Sequence, residues 1–275
     1  MPSQYWNEKL AEQLRQFRYE FSEKTLAGKT VIVAGGTGGL GSALVAMLAR
    51  EGARLIVGYR WNQERAEALR AAIREQFNAE IELAAGDIAD PKIIEEYVAA
   101  AQKTSQPLAG AAIFPGDPAR VALEALTRET MGASLESNYV GPVLLAKRLG
   151  EIMESSAGGG NLVMLATMQA VAPFASSVNY AAPKAALVHA AKILAQQWNR
   201  VTVNVVAPGA TVAGMAESSV RSGKYDRHIT SGAISRFGRP EDVARAVRFF
   251  LEPGQYTNGQ VLVVDGGLTT RRDRV

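Results

Sequence analysis

The chain has 275 residues, of which 47% are hydrophobic and 21% charged; this supplies apolar material for a large buried core, and nothing in it reads as disordered. Thirty Lys and Arg against 27 Asp and Glu leave a net charge of +3, a near balance that argues against a polyanion-binding surface, so no nucleic-acid partner is expected. With no Cys and two separated histidines, His189 and His228, the chain lacks disulfides, a thiolate nucleophile and a multi-His metal site, and no metal is expected.

At the start of the chain Trp6, Leu10, Leu14, Phe17 and Phe21 recur at steps of three or four, which predicts an amphipathic helix in an extension over residues 1–27. Its apolar stripe is expected to pack on its own domain or on a sister subunit. Glu8, Lys9 and Glu12 stand where a signal peptide would need an apolar stretch, and no apolar run approaches the ~18 residues of a membrane span. A cytoplasmic protein without membrane contact is therefore expected.

After Gly28, short β-rich runs alternate with longer helical stretches. Strands are expected at Thr30 to Ala34, Arg54 to Val57, Ile81 to Ala85, Gly110 to Phe114, Asn161 to Leu165, Thr202 to Val206 and Gln260 to Val264, with the first intervening helix at Ala43 to Arg50. Seven strands separated mostly by helices predict an α/β fold: a single Rossmann-type doubly wound parallel sheet flanked by helices, with right-handed crossovers. No Pro-, Gly- or Ser-rich linker divides it, so residues 28–270 read as one domain, followed by a basic tail at 271–275.

The segment Val31-Ile-Val-Ala-Gly35-Gly-Thr-Gly-Gly39-Leu-Gly41 runs from a strand into a helix. Glycines there let the backbone turn sharply and approach a ligand, and the free amides and positive dipole end of the helix favour a pyrophosphate. Gly35, Thr37, Gly38, Gly39, Leu40 and Gly41 are thus candidates for a dinucleotide cradle; the plain alternative is a tight structural turn. About 20 residues further on, where an acidic residue would take the ribose 2′-hydroxyl, stand Tyr59 and Arg60. A guanidinium suits a 2′-phosphate, so NADP(H) is favoured over NAD(H), against the alternative of a solvated surface arginine.

At Tyr180-Ala-Ala-Pro-Lys184 the chain resembles the short-chain dehydrogenase/reductase family, and the resemblance runs from about Leu26 to Thr270. The glycine loop fits that family's Thr-Gly-x-x-x-Gly-x-Gly pattern with Ala34 in the first place, and Asp87-Ile88 falls where the family contacts adenine. Asn138, Asn204, Pro208-Gly209, Arg236-Phe-Gly-Arg-Pro-Glu-Asp-Val and the ending Gly259-Gln-Val-Leu-Val-Val-Asp265-Gly-Gly267 follow in order. The last two blocks look most like the 3-oxoacyl-acyl-carrier-protein reductase branch. Residues four apart share a helix face, so Tyr180 and Lys184 can enter one cleft, where the ammonium is expected to draw the phenol pKa down from ~10. The resemblance implies Tyr180 as general acid/base, Lys184 on the nicotinamide ribose, Asn138 holding a water of a proton path, and a homo-oligomer, tetramer or dimer, built through the two long helices carrying Asn138 and Tyr180. Asn138 could instead bond its own helix, and Asp87 could cap the turn before Pro91.

Three places depart from the family pattern. Thr167 stands where a Ser usually holds the reacting oxygen, thirteen residues before Tyr180; it keeps the hydroxyl and adds a methyl. Ile113-Phe114-Pro115-Gly116 replaces Asn-Asn-Ala-Gly, and Ala213 occupies the place of a Thr that bonds nicotinamide, leaving Thr211 as a shifted substitute. These changes are compatible with weaker cofactor binding, a different local solution, or a chain that binds nucleotide but turns over poorly. The leading expectation is NADPH-dependent reduction of a ketone, a 3-oxoacyl thioester among the candidates, or the reverse oxidation of an alcohol. The rival is a nucleotide-binding sensor or partner subunit, and a nucleic-acid binder finds only the tail Arg271-Arg-Asp-Arg274 in its favour. Met215 to Ile229 is expected to form a mobile lid that carries substrate specificity.

Overall fold

A computed structural model of the chain describes residues 4–19, 22–103, 105–175 and 177–271. Phe21 and the last four tail residues, which the sequence reading included in the apolar stripe and the basic tail, lie outside the described residues.

The β-rich runs form β1 Thr30–Ala34, β2 Arg54–Tyr59, β3 Ile81–Ala85, β4 Leu108–Ile113, β5 Gly160–Leu165, β6 Val201–Pro208 and β7 Val261–Val264. They build one seven-stranded sheet in the order β3-β2-β1-β4-β5-β6-β7, with every neighbouring pair parallel. Strands buried on both faces have no polar side to show, and so β1 is apolar or small at nearly every position. Its residues alternate between two cores. Val31 and Val33 face Leu44, Leu48, Ile73 and Val247, which come from the helices α2 Gly41–Glu51, α3 Gln63–Phe77 and α10 Pro240–Phe250. Ile32 and Ala34 face Tyr97, Leu145, Leu149 and Leu187, from α4 Pro91–Gln102, α6 Gly141–Ser155 and α7 Val178–Leu194.

The strand order reverses between β1 and β4: the chain builds outward through β2 and β3, then returns to the other side of β1. In open α/β sheets a crevice forms at the carboxyl ends of the strands flanking such a switch point.

The helix α1 Glu8–Arg15 is capped by the Asn7 side chain on the Leu10 amide but buries none of its residues. It stops short of the stripe read from the sequence because Phe17 adopts a left-handed φ of 56°. Leu10 and Leu14 stay about half exposed, so the expected packing onto its own domain is not found. The core instead begins at Leu26, which is fully buried just before Gly28, beside Thr25, whose hydroxyl accepts a hydrogen bond from Arg248.

Candidate active site

The glycine loop lies between the end of β1 and the start of α2. Gly35 has φ +71°, and a side chain there would meet Pro115 and Phe114 at 3.2–3.3 Å; at Gly41 a Cβ would lie 2.6 Å from the Gly35 carbonyl oxygen. No side chain caps α2; the Ser42 amide donates to the Gly38 carbonyl, and no side chain stands between the positive dipole end of the helix and an anion. Gly35, Thr37, Gly38, Gly39, Leu40 and Gly41 line one cavity of about 280 Å³ together with Tyr59, Arg60, Asp87 and Ile88. The structure thus brings every expected residue of the pyrophosphate and adenosine half to one place, and a cradle that a Cβ would fill fits a dinucleotide.

Arg60 pairs with Asp87 at 3.3 Å and its guanidinium lies 5.2 Å from the centre of the Trp61 ring. The other Asp87 oxygen accepts the Ala89 amide, so the turn-capping alternative for this residue is also present. Arg65, absent from the sequence reading, reaches the same region: from the first turn of α3, with Asn62 capping its amide, it donates Nε–H to the Thr37 carbonyl at 2.6 Å. Only the fold, which aims the start of α3 at the glycine loop, reveals it.

A second cavity, of about 700 Å³, is lined by Thr167, Tyr180, Lys184, Pro208, Gly209 and Thr211. Thr167 follows β5, and its hydroxyl lies near enough to the Tyr180 phenol to favour the phenolate while accepting the Gln169 amide at 3.3 Å. Lys184, four residues along α7, is 1% exposed and donates to the carbonyls of Leu165 at 2.9 Å and Pro115 at 3.4 Å. Burial raises the Tyr180 phenol to about 12, with the Thr167 hydrogen bond opposing. This corrects the expectation of a lowered phenol: desolvation of the phenolate outweighs its favourable contacts. Burial also pulls the Lys184 ammonium down to about 7.

Asn138 is fully buried in a π turn, Glu136–Val140, that joins α5 Arg128–Leu135 to α6, and such single turns recur at functional positions. Its Oδ1 accepts the Asp117 amide, and its Nδ2 donates to the Asp117 carbonyl and to Ser134 Oγ. Ser134 in turn donates to the carbonyl of Asn179, the neighbour of Tyr180. The side chain therefore ties the loop after β4 to its own helix and to α7. The departure at Ile113-Phe114-Pro115-Gly116 is a different local solution. Phe114 extends the β4 pairing to the Ala34 carbonyl, Pro115 and Phe114 close on Gly35, and Gly116 leaves room for the site: a Cβ on it would sit 2.7 Å from Asn138 Oδ1 and 3.1 Å from Lys184 Nζ. Gly116→Ala is expected to destabilise the fold by about 1–3 kcal/mol, measurable by denaturant unfolding, because neither buried neighbour can withdraw.

Gly209 donates its amide to Val264, and Thr211 donates its hydroxyl to the Gly209 carbonyl. Two further blocks of the resemblance serve the scaffold. Asn204 bonds Thr257 and Gln260, and Arg236 grips Asp242 at the start of α10. The segment expected as a lid forms a 3-10 turn at Gly214–Ala216 and two short helices, α8 Glu217–Arg221 and α9 Asp226–Thr230. It closes over the cradle closely enough that a Cβ on Gly39 would lie 2.4 Å from the Gly214 amide nitrogen, and Arg120 straps it through the Met215 carbonyl and Ser218.

A doubly wound sheet with a glycine cradle at its switch point and a Thr–Tyr–Lys group beside it defines a class of nicotinamide-dependent oxidoreductases. The chain belongs to the short-chain dehydrogenase/reductase family, whose members act on CH–OH and carbonyl groups with NAD(P). The profile of the family described as enoyl-(acyl carrier protein) reductase matches residues 34–269. The chain is 27% identical to an NADPH-dependent aldehyde reductase 2, chloroplastic, of Arabidopsis thaliana, over 88% of this chain and 94% of that protein. It is 29% identical to a 3-oxoacyl-acyl-carrier-protein reductase of Aggregatibacter actinomycetemcomitans, over 87% and 99%. Among solved structures, levodione reductase superposes with a TM-score of 0.80 at 27% identity, covering 89% of this chain and 99% of that one. No helix among the described residues is long and apolar enough to cross a membrane, and no group of metal-binding side chains occurs among them.

Proposed function

We propose that the protein reduces a ketone to a secondary alcohol with NADPH and runs the reverse reaction with the same groups. The observation that carries this reading is one cavity lined by the Thr167 hydroxyl, the Tyr180 phenol and the buried Lys184. NADPH, when bound, supplies the hydride. Gly35, Thr37, Gly38, Gly39, Leu40 and Gly41 would hold its pyrophosphate, Tyr59, Asp87 and Ile88 its adenosine, and Pro208, Gly209, Thr211 and Lys184 its nicotinamide half.

Tyr180 donates its proton to the carbonyl oxygen as that oxygen gains charge, and Thr167 orients the same oxygen through its hydroxyl. A phenol raised to about 12 by burial is protonated at neutral pH, the form that reduction needs. The proton lost to product returns from solvent past Lys184 and Asn138. The two residues differ in function: Lys184, drawn down to about 7, can give and take a proton at neutral pH on the way to Tyr180, and Asn138 holds the loop and helix in register. Turnover is tested by NADPH absorbance over a panel of β-keto thioesters, cyclic ketones, steroids and sugars. Tight NADPH binding with no turnover on any of them would replace this reading by the sensor.

Two cations support the choice of NADPH. Arg60 shares its charge with Asp87, while Arg65 has a carbonyl contact and no carboxylate partner among the described residues. The Arabidopsis relative is named as NADPH-dependent. Both arginines are assigned to the 2′-phosphate. Arg65→Gln is expected to weaken NADPH binding about 10- to 100-fold, the value of a charge-assisted contact, with NADH affinity changed far less. Equal losses on the two cofactors, measured by calorimetry, would assign Arg65 to loop architecture alone.

A further inference from the structure

The larger cavity has charge that the ketone chemistry does not use. Apart from Lys184, its charged lining consists of Arg120, Lys224 and Arg227 against one carboxylate, Glu124. Arg120 is engaged as the strap to Met215 and Ser218. Lys224 and Arg227 have no ion-pair partner among the described residues. Asp226 is no partner in the cavity: it does not line it, and its carboxylate lies beside Gly223.

Beside Arg227 stands His228, on α9, 4% exposed and lining the cavity. Its ring stacks on Tyr225 at 5.8 Å, over which the Lys224 ammonium lies at 5.8 Å, and its Nδ1 has no hydrogen-bond partner. Burial and the nearby Arg227 charge hold the imidazole below its usual range, so it stays neutral at pH 7 and can donate from one nitrogen or accept at the other. A guanidinium and an ammonium without ion-pair partners and an unsatisfied imidazole thus line, from the lid, the same cavity as Tyr180. Much of the remaining lining, including Phe174, Met168, Val121 and Leu126, is apolar, with Gln169 and Ser177 as neutral polar groups.

We propose that the lid carries an anion subsite made of Lys224, Arg227 and His228, and that the ketone reduced at Tyr180 bears a second, anionic group, a carboxylate or a phosphate, on an apolar body. The proposal rests on the ketone-reductase reading for the reacting end. In a half-enclosed cavity an oxyanion held by two cations and an imidazole gains far more than on an open surface, whereas a neutral ketone leaves both cations unpaired.

The test compares kcat/KM with NADPH for matched pairs: levulinate against methyl levulinate, and dihydroxyacetone phosphate against dihydroxyacetone. The anionic member of at least one pair is expected to be preferred by roughly tenfold or more, and the pair identifies the group as carboxylate or phosphate. In the Lys224→Gln/Arg227→Gln double variant the preference falls towards one, while Arg227→Lys retains it. Equal or better use of both neutral members, or a preference unchanged in the double variant, overturns the subsite. If no ketone is turned over, calorimetry on the NADP⁺-bound protein separates the two claims. Binding of levulinate or dihydroxyacetone phosphate but not of its neutral partner, lost in the double variant, retains the subsite and removes the reductase reading; no such difference overturns the subsite.

Discussion

Tyr180→Phe is expected to lower kcat by about 10²- to 10⁴-fold, the range that a positioned general acid contributes. The substitution removes one oxygen and keeps the ring, so the packing around α7 persists. Among the described residues the Thr167 hydroxyl is the polar group that acts on that oxygen, and losing a single neutral hydrogen bond costs about 1 kcal/mol. The variant should therefore fold and bind NADPH within a few-fold of the wild type while losing the chemical step. The pH dependence follows from the same burial. A phenol at about 12 keeps its proton across the neutral range, so the contribution of Tyr180 to reduction is level from pH 6 to 9. Oxidation of the alcohol needs the phenolate and should gain rate as pH rises through that interval. Single-turnover absorbance measures both, at saturating NADPH for reduction and at saturating NADP⁺ for oxidation. A variant that keeps more than a tenth of wild-type kcat would remove Tyr180 from the proton transfer.

The direction of that shift also marks where a sequence stops being informative. Tyr180 and Lys184 are legible as a pair because four residues make about one helical turn, and that spacing needs no fold to interpret. Charge counting along the chain then suggests a cation lowering a phenol. Burial depends on everything that packs above α7, and in the structure it outweighs the favourable contacts. β1 and β3 were readable to the residue, since apolar runs in a parallel sheet are bounded by turns. Phe114 and Pro115 read as lost amides, yet in space they close on Gly35, an outcome set by the β1–β4 pairing rather than by their types. Arg65 carries no motif, and its relevance comes from the direction in which α3 starts. The apolar stripe from Trp6 predicted a helix correctly but not its length, because periodicity reports a face and not whether anything covers it.

Lys184 offers the second large effect, in stability as well as rate. Its ammonium is buried without a carboxylate, held by the carbonyls of Leu165 and Pro115, and burial draws it from 10.5 to about 7. Between those values the unfolded chain keeps a proton that the folded chain has released, so stability rises with pH across the interval at up to about 1.4 kcal/mol per unit. Stability is therefore greatest above 10.5, declines as pH falls towards 7, and has lost the full contribution below it. Lys184→Met has no such proton. Its stability minus that of the wild type should be largest near pH 6 and shrink steadily from pH 7 to 10. The two carbonyls left without a donor cost about 1–3 kcal/mol each; that cost is independent of pH, so the slope, not the absolute difference, is diagnostic. Activity should fall at least about 100-fold, since Tyr180 loses the buried neighbour that returns its proton. A residue that weakens the fold at the pH where the site operates is retained for the site and not for the core. Urea unfolding of the ligand-free proteins at pH 6, 8 and 9.5 decides the matter, and a difference that stays constant with pH would mean that the ammonium is not desolvated in the native state.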